Sequence, residues 1–324
     1  MTQFFRVAII IMALFSSPIA HAGSCLWFAD HNFLHQVQTD TNQISQNVLL
    51  KEPLGLAMNA TDCGVWTLAE RALHKYAANG NLAQQIDLNS LLPKVENVRQ
   101  IAVDPYDNSV WFITENQFYH ISASGLLIGS WKAAGSVRRF SLGLDQSLWA
   151  IGSKQLWHYD IQGNLLATVN LDGVVKNEPK LLAVDGLGGV LWIAGEKQLI
   201  QFSLKVPHPL VLNIALLQPV KDLTLDPSSG TIWLTAEKSL VAYARDGSPL
   251  PNIDFTILGI KDIQTLAFDP PSQSLWIGDK SGITRITTAG VVIAKLPALD
   301  GPLLIATPPF VVSPILTGTS INPV

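Results

Sequence analysis

Short apolar runs, each containing a tryptophan, recur along the chain at intervals of 38 to 45 residues. In the clearest copies an Asp lies seven residues before the tryptophan and a Gly lies fourteen residues after it, as in IAVDPYDNSVWFITENQFYHISASG (101–125). Apolar runs bounded by Asp, Pro and Gly are typical of buried strands joined by tight turns. Because the runs are continuous and do not alternate, both faces of each predicted sheet are expected to be buried. The repeated tryptophans are Trp27, Trp66, Trp111, Trp149, Trp192, Trp233 and Trp276.

Each repeat predicts four short strands, and four strands in about 40 residues is the period of a β-propeller blade. The sequence therefore predicts an all-β chain that folds as a seven-bladed β-propeller over residues 23–309. The position two residues before the Asp is small, as expected where inner strands crowd together near the axis. These residues are Ala57, Ala102, Gly143, Ala183, Thr224 and Ala267.

The first repeat lacks an inner strand of its own, because little of the mature chain would precede Trp27. Residues 305–309 (IATPP) align with residues 101–105 (IAVDP), including the small residue and the proline. We therefore expect a C-terminal strand to complete the first blade and close the ring, which removes exposed sheet edges. Residues 310–324, which contain Ser, Thr and Pro but no repeat features, are interpreted as a tail or linker that leads to any further domain.

The N-terminus has the features of a signal peptide over residues 1–22. Arg6 precedes a short apolar run, and Ala20-His21-Ala22 supplies the small residues that a signal peptidase accepts. The alternatives are a membrane anchor, for which the run is short, and lipidation at Cys25, where the preceding residues fit poorly. Export to the periplasm or the extracellular space would place Cys25 and Cys63 in an oxidising compartment, where they can form a disulfide between the first two repeats.

The composition and net charge of the chain exclude some classes of protein and of binding partner. Only 14% of residues are charged and the formal net charge is −4, which argues against a disordered chain and against nucleic-acid binding. No segment after the signal peptide is long and apolar enough to span a membrane. We expect a monomer without a cofactor.

Polar and charged residues recur at the ends of the predicted strands. Glutamates occupy the fourth position after four of the tryptophans, and basic residues precede four of the inner strands. The candidate binding residues are Glu70, Glu115, Glu196, Glu237, Arg99, Arg139, Lys180 and Lys221. They are expected to surround one mouth of the axial channel, where an acidic segment of a protein partner or a small anionic ligand can bind through charge-assisted hydrogen bonds. The alternative is that these are solvated hairpin tips whose charges neutralise one another.

Two other sets of residues are candidates for a metal or catalytic site. The repeated aspartates (Asp104, Asp145, Asp185, Asp226 and Asp269) suit a divalent cation, but Asp followed by Pro is also typical of a tight turn. The histidines His35, His74, His120 and His158 fall at two different offsets from the tryptophans and therefore do not predict one converging site. No hydrolase, metalloprotease or nucleotide-binding motif is present. No catalytic or metal-binding residue is assigned.

The repeats resemble those of bacterial NHL-like and two-component-regulator-type propellers. The similarity lies in Leu-Ala-Val-Asp followed by tryptophan (182–192) and in Trp-Phe-x-x-Glu (111–115). The same residues are similar to repeats of streptogramin lyases and gluconolactonase-like propellers. The favoured hypothesis is an exported, non-catalytic binding scaffold. The alternative that the resemblance implies is a lyase or lactonase assisted by a divalent cation, and a third hypothesis is a role in assembling envelope proteins.

Overall fold

The chain forms a ring of seven antiparallel sheets, each with four strands. The structure is a computed structural model that describes residues 25–69, 71–91, 98–297 and 304–311. The predicted signal peptide (1–22) and tail residues 312–324 lie outside the described residues. The prediction of an all-β, seven-bladed β-propeller is confirmed.

The strands follow one another blade by blade. The first two blades contain β1 (Cys25–Ala29), β2 (Phe33–Gln38), β3 (Gln43–Leu49), β4 (Gly55–Met58), β5 (Val65–Ala69), β6 (Ala72–Tyr76) and β7 (Leu82–Asp87). After the single-turn helix α1 (Leu88–Leu91), blades 3 and 4 contain β8 (Gln100–Val103), β9 (Val110–Ile113), β10 (Gln117–Ile121), β11 (Leu127–Lys132), β12 (Arg139–Leu142), β13 (Leu148–Ile151), β14 (Gln155–Tyr159) and β15 (Leu165–Asn170). Blades 5 and 6 contain β16 (Leu181–Asp185), β17 (Val190–Ala194), β18 (Gln198–Ser203), β19 (Leu210–Ala215), β20 (Asp222–Leu225), β21 (Ile232–Thr235), β22 (Ser239–Tyr243) and β23 (Pro249–Asp254). The helix α2 (Phe255–Leu258) leads to blade 7, with β24 (Thr265–Asp269), β25 (Ser274–Asp279), β26 (Gly282–Thr287) and β27 (Val292–Pro297), and the last strand described is β28 (Leu304–Ala306).

Burial changes from the second strand of a blade to its outer strand. Every residue of β9 is buried, because this strand lies between neighbouring blades and carries Trp111. The outer strand β11 alternates between exposed and half-buried residues, since it forms the rim of the ring. The tryptophan strands therefore supply the core, as their apolar sequences predict. Neither helix in the described part of the chain is long and apolar enough to cross a membrane.

The strand register places a small inner-strand residue opposite each tryptophan. Ala102 pairs with Trp111, and the same relation holds in the other blades. Blade 4 differs from the prediction, because Ser141 and not Gly143 pairs with Trp149. The turn between the inner and second strands is one residue shorter in this blade, which shifts the alignment that was based on Asp145.

The predicted closure of the ring is confirmed. β28 forms the inner strand of the first blade and pairs with β1, with Ala306 opposite Trp27 and Ile305 opposite Phe28. The N-terminal and C-terminal parts of the chain thus share one sheet, so no blade of the ring is left with an unpaired second strand.

The predicted disulfide is also confirmed. Cys25 begins β1 and is bonded to Cys63, which lies in the turn after β4. The indole N–H of Trp27 donates to the carbonyl of Cys63 at 2.7 Å, so a hydrogen bond accompanies the covalent link. The link joins blade 1 to blade 2. A cross-link that closes a loop of this length stabilises a fold by about 4 kcal/mol in the chain-entropy description.

Candidate functional site: the mouth of the axial channel

The two ends of the ring carry different connections. The turns from inner to second strands and from third to outer strands lie at one end, which we call the Asp-turn end. The hairpins from second to third strands and the connections between blades lie at the other end, which we call the hairpin end. Glu115, Glu196 and Glu237 follow second strands and are exposed at the hairpin end. Glu70, which was predicted to belong to the same set, lies outside the described residues.

At the Asp-turn end, the repeated aspartates accept hydrogen bonds from the backbone of their own turns. Asp104 accepts from the N–H of Tyr106 at 2.9 Å, and Asp226 accepts from the N–H of Ser228 at 2.9 Å. Burial raises the pKa of Asp104. In the described part of the chain, no three His, Cys, Asp or Glu side chains converge as metal ligands. These aspartates therefore act as turn-forming residues, in line with the turn interpretation of the sequence.

The histidines nine residues after tryptophans are part of the blade interior. The rings of His120 and Trp111 stack with their centroids 3.9 Å apart, and His158 stacks on Trp149 at the same distance. Burial lowers the pKa of His120 to about 4, so this side chain is neutral at physiological pH. These residues stabilise the packing of their blades and do not reach the axial channel.

Four basic residues lie at equivalent positions at the start of four consecutive inner strands. We call this set the cationic arc: Arg99, Arg138, Lys180 and Lys221. The backbone N–H of each donates to a carbonyl on the neighbouring tryptophan strand, namely Arg99 to Ile113 (2.8 Å), Arg138 to Ile151 (2.7 Å), Lys180 to Ala194 (2.9 Å) and Lys221 to Thr235 (3.0 Å). The repeat spacing in the sequence predicts Arg139 in this set, which the structure corrects. The shorter turn of blade 4 makes Arg138 the equivalent residue and moves Arg139 one position further along the inner strand.

Two members of the cationic arc are held by glutamates. Arg99 contacts Glu115 at 3.4 Å, and Arg138 contacts Glu178 at 2.8 Å. Both pairs are partly exposed, so each stabilises the fold by less than about 1 kcal/mol. Their structural effect is to fix the two arginines beside the channel. Glu178 was not singled out from the sequence, because it lies in the connection between blades 4 and 5, outside the repeated strands.

The other basic groups at this mouth have no such partner. Among the described residues, no carboxylate lies within ion-pair distance of Lys180, Lys221 or Arg139, although all three side chains are exposed. Glu196 and Glu237 are exposed on the adjacent hairpins and are likewise outside the ion pairs found in the described part of the chain. Lys180, Lys221 and Arg139 therefore have no direct ion-pair partner among the described residues.

One acidic residue lies inside this mouth. Asp222 occupies the inner-strand position of blade 6 that Arg139 occupies in blade 4. Its carboxylate accepts from the N–H groups of Leu266 at 2.8 Å and Leu223 at 2.9 Å, and so links blade 6 to blade 7. Burial raises the pKa of Asp222 to about 6, against the opposing influence of these hydrogen bonds and of Arg139. The repeat pattern does not predict a role for Asp222, since this residue falls outside the repeated positions.

This raised pKa predicts a pH-dependent effect of substitution. The folded pKa lies above the unfolded value of 3.8, so the contribution of this carboxyl group to stability is complete at acidic pH and is lost as the pH rises through about 6. We expect Asp222→Asn to raise the free energy of unfolding by about 1 kcal/mol at pH 8 and to give no gain at pH 3. Urea denaturation at both pH values measures this difference. Asp246→Asn is the control, because hydrogen bonds from Ser248 lower the pKa of Asp246; the same gain in both variants would contradict the assignment.

Next to the cationic arc, the inner strands border a cavity of about 290 Å³. Its wall comes from the inner strands of blades 3, 4 and 5, from the Asp-turns beyond them and from the C-terminal segment. Representative lining residues are Gln100, Phe140, Leu142, Leu182, Leu187 and Phe310. None of the residues that line this cavity is ionisable.

Comparison with known proteins adds information about the fold. No protein-family profile matches the sequence, and no curated protein matches it. A functionally unknown protein from Desulfotomaculum acetoxidans superposes with a TM-score of 0.72 at 11% identity, over 89% of this chain and 100% of that chain. Hydrazine synthase from Kuenenia stuttgartiensis gives a TM-score of 0.67 at 10% identity, over 87% of this chain and 100% of that chain. The Cps50 (Swd1) β-propeller domain from Myceliophteria thermophila gives 0.61 at 11% identity, over 79% and 92% respectively. At these identities the likeness shows a shared β-propeller fold and carries no activity to this chain.

Proposed function

We propose that the chain is an exported binding module that holds carboxylate-bearing ligands at the hairpin-end mouth of its axial channel. The bound group is a small anion or an acidic segment of a protein partner. The observation that carries this proposal is that three exposed basic groups at the mouth have no direct ion-pair partner. Lys180, Lys221 and the adjacent Arg139 are exposed, and no carboxylate of the described residues pairs with them.

The arrangement favours recognition because the charged groups are carried by a rigid scaffold. Each residue of the arc lies immediately before an inner strand, and its backbone N–H donates to a carbonyl of the buried tryptophan strand. Arg99 and Arg138 are in addition oriented by Glu115 and Glu178. A ligand carboxylate would therefore meet several donors that lose little conformational freedom on binding.

Export is supported by the disulfide between Cys25 and Cys63 together with the signal-peptide pattern of residues 1–22. Disulfides persist in oxidising compartments and are rare in the cytosol. The periplasm or the extracellular space is the proposed location.

The lyase or lactonase alternative requires carboxylates or histidines that converge near the axis. The described part of the channel brings no three such groups together, and the inner-strand residues opposite the tryptophans are small. No specific observation favours a reaction at this site, and we propose a binding role.

The proposal is tested with a fluorescently labelled hexaglutamate peptide as the probe. We expect Lys180→Gln/Lys221→Gln to weaken binding by about 10-fold, because two exposed charge contacts of about 0.7 kcal/mol each are lost. Added salt should weaken the binding of the wild-type protein as well, since the mouth is open to solvent. Fluorescence anisotropy at low ionic strength measures both effects.

Lys132→Gln/Lys205→Gln is the matched control, because it changes the net charge equally and both lysines are exposed away from the mouth. Its affinity for hexaglutamate should equal that of the wild type. Absence of saturable binding to the wild-type protein, or equal weakening in the two double variants, would overturn the proposed site.

A further inference from the structure

The channel combines two features at adjacent levels. Its mouth carries the cationic arc, Arg139 and Asp222, whereas the cavity next to it has no ionisable side chain in its wall. Gln100 and Phe140 line the cavity, and they follow Arg99 and Arg139 immediately in the chain. Basic residues of the mouth and residues of the uncharged cavity wall are therefore direct neighbours along these two inner strands.

The cavity extends along the inner strands to the opposite end of the ring. Its lining runs from Gln100 to Pro105 on blade 3, a distance of about 15 Å for an extended chain. At the Asp-turn end it is bordered by Leu187 and by Phe310, which follows the closing strand β28. A volume of about 290 Å³ over this length describes a narrow space that suits an extended chain better than a bulky ring system.

The wall contains two polar side chains, Gln100 and Ser141, and the amide of Gln100 is already hydrogen-bonded within the protein. The amide of Gln100 donates to the carbonyl of Phe140 at 3.0 Å and accepts from the N–H of Phe140 at 3.0 Å, which joins the inner strands of blades 3 and 4. The neighbouring wall residues Leu142 and Leu182 are aliphatic. An apolar chain in this space would displace water without leaving the Gln100 amide unpaired.

We propose that the cavity holds the alkyl chain of a medium-chain monocarboxylate whose head group lies against Arg139 and Lys180. This inference rests on the proposed function and names the class of ligand. The alkyl chain is recognised by burial along Leu142, Leu182 and Phe310, and the carboxylate by the basic mouth. A cationic amphiphile of equal length meets the same cavity but is repelled at the mouth, and a short carboxylate lacks the buried chain.

The test is isothermal titration calorimetry of the mature protein with decanoate, butanoate and decyltrimethylammonium as probes. We expect decanoate to bind with one site per chain and at least about 10-fold more tightly than the other two probes. Butanoate buries fewer methylene groups, and the basic residues of the mouth repel the ammonium group of decyltrimethylammonium. Arg139→Gln should weaken the binding of decanoate by about 5-fold through loss of the head-group contact.

Phe310→Asp tests the other end of the cavity, since it places a carboxylate where the alkyl chain would lie. It should weaken decanoate by at least about 10-fold and leave hexaglutamate binding unchanged. Val311→Asp adds the same charge at the next residue, which is exposed and outside the cavity lining, and should leave both probes unaffected. A second variant, Phe310→Ser, removes the wall without adding charge and should give a smaller loss of decanoate affinity.

The outcomes separate the inference from the proposed function. Hexaglutamate binding without decanoate binding would overturn the alkyl-chain site and leave the anion site standing. Equal affinity for decanoate and decyltrimethylammonium, or equal effects of Phe310→Asp and Val311→Asp, would also overturn it, since either result means non-specific adsorption. Failure of both probes to bind would overturn the proposed function itself.

Discussion

A chain that ends at residue 303 should melt at least about 10 °C below a chain that ends at residue 311. The two chains differ only by β28 and the five residues after it. Loss of β28 leaves the second strand of blade 1 as a sheet edge beside the axis and removes the partner of Trp27. The cooperative ring then becomes an open arc.

The size of this effect follows from what β28 contributes. Its residues pair with β1, and Ala306 is buried against a cluster that includes Trp27 and Met58. Loss of several backbone hydrogen bonds together with this apolar contact costs about 4–5 kcal/mol. For a domain of this size, each kcal/mol corresponds to a few degrees in the melting temperature.

A point variant gives a graded measurement if the truncated chain does not fold. Ala306→Asp places a carboxylate in the buried position opposite Trp27 and should lower the free energy of unfolding by about 3 kcal/mol. Val311→Asp carries the same charge at an exposed position and should melt close to the wild type. If both truncated chains melt at the same temperature, or if the two Asp variants behave alike, closure by β28 does not stabilise the ring.

Much of this architecture is predictable because it is encoded in repeated local patterns. The spacing of the tryptophans predicts the number of blades, and the match of residues 305–309 to residues 101–105 predicts the closing strand. Each blade buries its tryptophan strand on both faces, so the periodic signal survives differences between the loops. The cysteines could be paired because their positions relative to successive tryptophans are similar and the chain is predicted to be exported.

The candidate site is less predictable because it depends on register and on convergence of distant residues. Because the turn of blade 4 is shorter by one residue, Arg138 and not Arg139 occupies the equivalent position in the cationic arc. The partner of Arg138 is Glu178, which lies in an irregular connection between blades and follows no repeat. Asp222 lies next to an arc residue, but its neighbour across the blade boundary, Leu266, is 44 residues away in the chain. Spacing within one repeat does not reveal such contacts.

The ninth position after each tryptophan has a common structural role. The sequence draws attention to this position only where a histidine occupies it. The ninth residue after a tryptophan pairs across the sheet with that tryptophan, and in three blades its side chain donates to a carbonyl in a turn of the next blade. Lys75 reaches Ala123 at 3.3 Å and Gln201 reaches Arg245 at 2.7 Å. Arg285 reaches Thr39, and this contact crosses the seam between the last and the first blade. The identity of the residue varies, so only the structure shows that the position has a common role.

Replacement of Arg285 by Met is expected to lower the free energy of unfolding by about 3–5 kcal/mol. The guanidinium is buried, lies 5.2 Å from the centre of the Trp276 ring, and donates to the side chains of Asn42 at 2.6 Å and Ser274 at 2.9 Å. Burial lowers the pKa of Arg285, and the charge of nearby Asp269 acts against this effect. Methionine keeps the apolar stem but leaves these acceptors without their donor and removes the positive charge near the buried Asp269, which is costly inside a protein.

Arg245→Met is the comparison. Arg245 also bridges two blades, through an ion pair with Asp185 at 2.5 Å, but its side chain is 35% exposed. The two blades that it joins are not the first and the last. Its loss should be smaller than that of Arg285→Met in urea denaturation at pH 7. Arg285 and β28 both stabilise the boundary between the last and the first blade, so their effects on the free energy of unfolding should be non-additive. Arg285→Met should therefore lower this free energy less in the chain that ends at residue 303 than in the chain that ends at residue 311. Full additivity, or equal losses for the two arginine variants, would mean that Arg285 stabilises its own blade alone and does not help to hold the ring closed.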